Sequence, residues 1–216
     1  MHKDGFGKAS KLHTPIAKPL KRPRQARAVF TVEAIYEALV RIWQRSGWAS
    51  VTTRAVALEA GVAVGTLYDY FPSKQALLSG FVRFHIEHLL LEIEQQVINV
   101  PELSWRERLH RLLWICCADH NHPLYSLEVW QLEPSIAEPK HQKRAFEELA
   151  NRWYQAFKAC TDLPGPVSAE RAEALFLMAW GARRYAVLGQ LDAKRQQSWL
   201  REMEQSFSLL LTADHE

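Results

Sequence analysis

Between Val51 and Lys74 the chain is built to make a tight helical corner. The run Val-Thr-Thr-Arg-Ala-Val-Ala-Leu-Glu-Ala-Gly-Val-Ala-Val-Gly-Thr-Leu-Tyr-Asp-Tyr-Phe-Pro-Ser-Lys holds two short helical stretches on either side of Gly61-Val62. Thr52-Thr53 offers the hydroxyls that open a helix. Gly61 sits where a helix ends in the left-handed conformation that glycine adopts without penalty. Val56, Ala57 and Ala60 are spaced to meet Val62, Leu67 and Phe71 across the turn, with Ile35 and Leu39 beneath. Ala57 and Ala60 lack bulk, so the backbones cross closely. Once Leu67 and Phe71 turn inward, Val64, Gly65, Thr66, Tyr68 and Tyr70 are left facing solvent.

The rest of the chain reads as helix. Strand-like alternation is scarce, and apolar residues recur at three and four positions. Ile35, Leu39 and Ile42 mark a first helix that Ser46-Gly47 ends. Pro72-Ser73 leads into a long helix reaching Val97, and Ser104 with Glu107 has the spacing of a capping box after Pro101. Asn121-His122-Pro123 opens another helix, and the Pro134–Pro139 segment separates it from one over Lys140–Ala159. Pro164-Gly165-Pro166 is the clearest breaker, followed by Ser168 as a cap. Gly189 and Asp192 precede a last helix ending near Leu211. The expectation is an all-α fold of about nine helices.

Charge is unevenly placed. Residues 1–27 carry eight Lys or Arg against Asp4, a net +7 within a formal total of +3, so the remainder is net −4. A basic arm on an acidic body predicts a polyanion met at one end. The solvent face of the second corner helix agrees. Valine, threonine and two tyrosines suit a solvated face poorly. They suit DNA well, since hydroxyls bind phosphate and small apolar groups meet thymine methyls. The corner has the build of a helix-turn-helix whose second helix enters the major groove.

The run Ala60-Gly-Val-Ala-Val-Gly-Thr-Leu-Tyr-Asp-Tyr-Phe-Pro-Ser-Lys74 also closely resembles the helix-turn-helix of the tetracycline-repressor (TetR) family. The likeness extends back through Thr52-Thr53-Arg54 to Ser46-Gly47-Trp48. The resemblance implies that Thr53 binds a phosphate and Arg54 a phosphate or guanine edge. Val64, Gly65 and Thr66 would face bases or adjacent backbone, and Tyr68, Tyr70 and Lys74 would hold phosphates. Ala63 departs from the family, which usually has Ser or Thr there, and losing such a cap costs about 0.5–2 kcal/mol. The arm is a second DNA-facing candidate through Arg22, Arg24 and Arg27, against the plainer reading of a solubilising tail. The expected organisation is a basic flexible arm over 1–23, a helix-turn-helix domain over 24–77 and a helical ligand-binding and dimerisation domain over 78–216.

The resemblance further implies a homodimer formed by the last two helices. Ala174, Leu177, Met178, Gly181, Ala182 and Tyr185 would lie along one, with Trp199, Met203, Phe207 and Leu210 on the other. It implies a repressor that a small-molecule effector releases from a palindromic double-stranded operator. Tryptophan is abundant in this region, which suits a flat or lipophilic ligand or a plain core. Trp114, Cys117, Trp130, Trp153 and Trp180 are the pocket candidates, and Arg183 or Arg184 would hold an acidic group or make a salt bridge.

Three cysteines are too few for a disulfide framework, which points to a reducing, cytoplasmic setting. No apolar run approaches the roughly 20 residues of a membrane span, so no membrane partner is expected. Cys116 and Cys117 are either a redox switch or two core residues. His85 with His88, and His120 with His122, lack further ligands at metal-site spacing, so no metal and no cofactor is expected. No catalytic signature appears, and the chain is not expected to be an enzyme. Two alternatives stay open, a helical ligand-binding or interaction protein with a non-operative DNA head, and a ligand-dependent activator.

Overall fold

Five of the described helices begin where a short polar side chain takes up a free amide. The computed structural model describes residues 18–21, 25–117 and 139–213. Helix α1 (Ala26–Ser50) buries Val32, Ile35, Tyr36, Leu39, Ile42 and Trp43 along one stripe. Gly47, at φ 74°, breaks it as expected, although one further turn follows to Ser50. Helix α2 (Thr53–Glu59) starts at Thr52, whose hydroxyl accepts the Ala55 amide at 3.0 Å. Gly61, at φ 69°, then turns the chain. Helix α3 (Val64–Tyr70) begins at Ala63 without a side-chain cap, as its sequence requires.

Helix α4 (Lys74–Ile93) is capped by Ser73, which accepts the Ala76 amide at 3.0 Å. It closes in a π-helical turn, Glu94–Ile98. Helix α5 (Trp105–Cys117) opens on the expected capping box. The Glu107 carboxylate accepts the Ser104 amide at 2.9 Å, and Ser104 Oγ accepts the Glu107 amide at 3.3 Å. Helices α6 (Pro139–Lys158), α7 (Ala169–Leu188) and α8 (Ala193–Thr212) complete the bundle. Ser168 caps α7 by accepting the Arg171 amide, and Asp192 caps α8 by accepting that of Arg195. The helix expected from Asn121-His122-Pro123 lies outside the described residues. The described residues form eight α-helices and no strand.

Two apolar cores result. One gathers α1, α2, α3 and the start of α4, with Ile35, Leu39, Val56, Leu67, Leu77 and Phe81 among its buried members. The other gathers the end of α4 with α5 to α8, around Ile93, Leu109, Leu149, Trp153, Phe176 and Phe207. Trp153 is fully buried, its ring centre 5.7 Å from Phe176 and 6.4 Å from Phe207. Phe207 therefore corrects the expected dimer face. It shares the inward stripe of α8 with Leu200 and Leu211, because these positions recur at helical spacing.

Two charged side chains, Arg108 and Arg183, are buried among the described residues. Arg108 is buried, donating from Nη1 to the Val97 carbonyl and from Nη2 to the Val100 carbonyl at 2.7 Å. The π turn and the bend after it expose these acceptors, which the helix itself cannot pair. Nearby, the Asp162 carboxylate accepts the Trp105 amide at 2.9 Å and ties the α6–α7 loop to the start of α5. Replacing Arg108 with Met keeps much of the volume but strands both carbonyls. We predict a loss of about 1–3 kcal/mol for each buried acceptor, measured by urea unfolding. An unchanged midpoint would show that water satisfies the turn instead.

Candidate nucleic-acid interface

Leu67 and Phe71 anchor α3 in the first core, which decides what its other face presents. Val64 is 39% exposed and Tyr68 47%. Gly65 and Arg54 are exposed, while Thr53, Thr66 and Tyr70 are half-buried. A Cβ built on Gly65 would meet nothing within 4 Å. The open space lets a backbone or base edge come close to α3 there. The sequence-predicted residues of α2 and α3 are thus all exposed or half-buried at the surface.

The strongest local geometry on that surface joins two of them. Thr53 Oγ1 and Tyr68 Oη are 3.0 Å apart. One hydroxyl donates to the other, so the second O–H and the remaining lone pairs stay available to an outside partner. The start of α2 and the middle of α3 consequently present a preorganised hydroxyl pair, suited to a phosphate oxygen. Sequence reading named both residues but not their pairing, which depends on the crossing of the two helices.

Lys74 is held differently from the expectation. Its ammonium donates to the Trp48 carbonyl at 2.6 Å and lies 4.0 Å from the centre of the Trp48 ring. Trp48 itself packs on Trp43, with ring centres 4.7 Å apart. The geometry makes Lys74 a tie between the first turn of α4 and the end of α1. We predict that Lys74→Met lowers stability by about 1.5–3 kcal/mol, the range for a hydrogen bond with a charged partner. Full thermal stability in that variant, with DNA affinity lost, would restore a purely phosphate-binding role.

A second tie joins α1 to α2 at the surface. Glu59 accepts from Arg41 Nε at 3.1 Å and Arg45 Nη2 at 3.2 Å. The hydrogen bonds from Arg45 and then Arg41 hold its carboxyl below the ordinary 4.5. A carboxyl shifted downward stabilises the folded form above its unfolded value, and that contribution disappears as pH falls through the folded one. The thermal midpoint of Glu59→Gln should therefore lie below the parent's at neutral pH, with the gap closing in acid below pH 4.5. A gap independent of pH would mean that the ion pairs do not supply it.

The arm is described in part. Arg27 is exposed in the first turn of α1, whereas Arg22 and Arg24 lie outside the described residues. Lys18–Lys21 contacts the head directly, with the Leu20 amide donating to the Tyr70 carbonyl at 2.8 Å. Sequence reading missed this contact. Its only signal was the apolar Pro19-Leu20 pair set between lysines.

The four expected ligand residues that are described do not gather round one space. Trp114 is 55% exposed on α5, stacked against His110 with ring centres 6.0 Å apart. Its position is a correction, since the α5 residues turned inward are Leu109, Leu112, Leu113, Cys116 and Cys117. Trp153 and Cys117 are fully buried in packed core. Trp180 is half-buried, 5.5 Å from Phe176, with the Arg183 guanidinium 5.0 Å above its ring. Trp130 lies outside the described residues. Open clefts lie between α1 and α2 and between α5 and α8, and none of these residues lines either.

Burial pushes the Cys116 thiol up to about 11 and that of Cys117 higher still. Both thiols are fully buried, an environment that disfavours the thiolate and suits core residues. Among the described residues no three His, Cys, Asp or Glu side chains converge as metal ligands. None of their helices is long and apolar enough to cross a membrane.

The same segment matches known proteins. The model of bacterial regulatory proteins of the tetR family matches residues 35–80. The HTH-type transcriptional repressor KstR of Rhodococcus jostii is 38% identical over 79 residues, covering 37% of this chain and 35% of that protein. The nucleoid occlusion factor SlmA of a Marinomonas species is 36% identical over 63 residues, covering 29% and 32%. The chain thus spans about a third of the length of these relatives. Over the fold, a TetR transcription regulator from Haloarcula marismortui superposes with TM-score 0.58 at 23% identity, covering 85% of this chain and 97% of that one. A TetR-family regulator structure from Mesorhizobium loti gives 0.67 at 18%, covering 88% and 98%. At such identities the likeness is one of fold.

Proposed function

We propose that this chain, whose residues 35–80 match the model of bacterial regulatory proteins of the tetR family, is a dimeric repressor of transcription of that family. A small-molecule effector releases it from a palindromic operator. The observation that carries the reading is the Thr53–Tyr68 hydroxyl pair, 3.0 Å apart between α2 and α3, with Val64 and Gly65 of α3 exposed. In this reading Thr53, Arg54, Tyr68, Tyr70, Arg24 and Arg27 hold phosphates. Val64, Gly65 and Thr66 lie against base edges, where Val64 meets a thymine methyl. Lys74 acts mainly by holding α4 on α1. The name of the KstR relative, a transcriptional repressor, supports the sign of regulation.

Dimerisation is supported by what α7 and α8 leave uncovered. Leu177, Met178 and Tyr185 stand outward on α7, Tyr185 at 74% exposure, and Leu209 and Leu210 on α8. Ala174 and Gly181 on the same side of α7 permit close approach. Apolar exposure this concentrated marks an interaction surface. A dimer also sets two α3 helices about 34–36 Å apart, the repeat of successive major grooves. The effector would act on the second core, near Trp180 and Arg183, and α4 would transmit its effect because it belongs to both cores. A differential affinity of about 1–3 kcal/mol between two settings of α4 suffices for release.

The test is retention of genomic DNA fragments across a salt series, with sequencing of what is kept. The expected result is a palindromic site and a steep loss of affinity with salt. Thr53→Ala and Tyr68→Phe should each weaken that site by about tenfold or more, since a hydrogen bond to a charged group contributes about 1.5–3 kcal/mol. Sequence-blind binding by the parent chain would instead favour a head without an operator.

A further inference from the structure

Four separate elements meet at Gly80, and one of them is the N-terminal arm. A Cβ placed on this residue of α4 would stand 2.6 Å from Tyr36 Oη, 2.8 Å from Phe71 Cε1 and 3.0 Å from Pro19 Cγ. Such distances are too short for any side chain, so the three groups occupy the space that the missing Cβ leaves. Tyr36 comes from α1, and its ring also touches Phe71, Phe81 and Phe84 at 5.5, 5.6 and 4.9 Å between centres. Phe71 is the residue that ends α3. Pro19 belongs to the arm, and its neighbour Leu20 donates its amide to the carbonyl of Tyr70, the last residue of α3.

That carbonyl has no partner within its own helix, as at any helix C-terminus. The arm supplies the donor. Leu20 is itself 56% exposed, so its backbone and the Pro19 ring, rather than its side chain, make the contact.

Resting on the DNA-binding reading above, we propose that Lys18–Lys21 is a strap. It locks the C-terminal end of α3 to α4, with Gly80 as its seat, and sets exposed Lys18 and Lys21 at the rim of the DNA-facing surface. The arm then contributes to affinity by positioning the recognition helix, beyond its charge. Leu20 and Gly80 are positioning residues, since neither needs to touch DNA.

The experiment separates position from charge. Leu20→Pro removes the donated N–H and leaves every lysine and arginine in place. A strap predicts that operator affinity falls about fivefold or more, the equivalent of one net hydrogen bond. The slope of affinity against salt should stay the same, because the number of phosphates neutralised is unchanged. Hydrogen exchange on the free full-length protein gives an independent readout. The Leu20 amide should be protected in the parent, and the amides of 68–71 should exchange faster in Leu20→Pro. Gly80→Ala approaches the same joint from α4 and should reproduce both effects. Parent-like affinity in Leu20→Pro, or an unprotected Leu20 amide in the parent, overturns the strap. A parent chain that retains no DNA while its Leu20 amide is protected would overturn the DNA reading, and with it the strap's role in affinity, but not the contact.

Discussion

Helix α4 is buried by two different cores, and the remaining architecture is arranged around that fact. Leu77, Leu78 and Phe81 complete the core beneath the corner, while Leu89 and Ile93 complete the one in the larger bundle. Each buried leucine or phenylalanine contributes about 1.5–3 kcal/mol relative to exposure. The helix therefore cannot leave either core cheaply, and a displacement at one end is felt at the other. Close packing makes such a helix a lever, because side chains that fill their space transmit strain. Val187, near the end of α7, also packs on the first core, giving the larger bundle a second point of contact with the head.

Polar ties refine what the cores set. Three of them surround the α1–α2–α3 corner: Lys74 on the Trp48 carbonyl, Glu59 between Arg41 and Arg45, and Thr53 against Tyr68. Their environments differ, and so do their effects. Lys74 is half-buried and engages both a carbonyl and a ring face, so it has the strongest hold on structure. Ion pairs at the solvent surface, such as those of Glu59, are screened and contribute little apart from orientation. The Thr53–Tyr68 pair is the most consequential for the proposed recognition, because it fixes two hydroxyls relative to one another in the free protein. Preorganisation of this kind spares side-chain entropy that binding would otherwise have to spend.

What could be read in the sequence was governed by the range of the interaction. Caps and turns depend on a few neighbouring residues, so Thr52, Gly61, Ser104 and Ser168 were legible and stand as expected. The inward stripe of the corner was legible too, since Leu67 and Phe71 lie one helical turn apart. The rotation of a long helix within a bundle was not. Trp114 and Phe207 both sit on amphipathic helices of aromatic-rich sequence, yet one faces water and the other the core. A periodic pattern leaves that choice open when bulky residues occur on both sides. The contact of Lys74 with Trp48 was not legible for a related reason. Trp48 lies 26 residues earlier, and no local pattern announces a side chain that reaches back across a fold.

Helix α3 itself is weak by every local measure. It has seven residues, no side-chain cap at Ala63, and a glycine at its second position. An isolated helix of that length is far below the roughly 12–15 residues at which helices become even marginal in water. Its conformation must therefore come from outside. Leu67 and Phe71 hold it from below, the Thr53–Tyr68 contact from the side, and the Leu20 amide at its end. Its N-terminal turn alone has no such support, and that turn carries Val64, Gly65 and Thr66, the residues proposed to meet base edges. Support is thus concentrated where phosphates would be held, and it is least where sequence would be read. In the DNA-binding reading, a helix supported at one end and uncapped at the other would meet base edges through local adjustment, while phosphate contacts would keep its register.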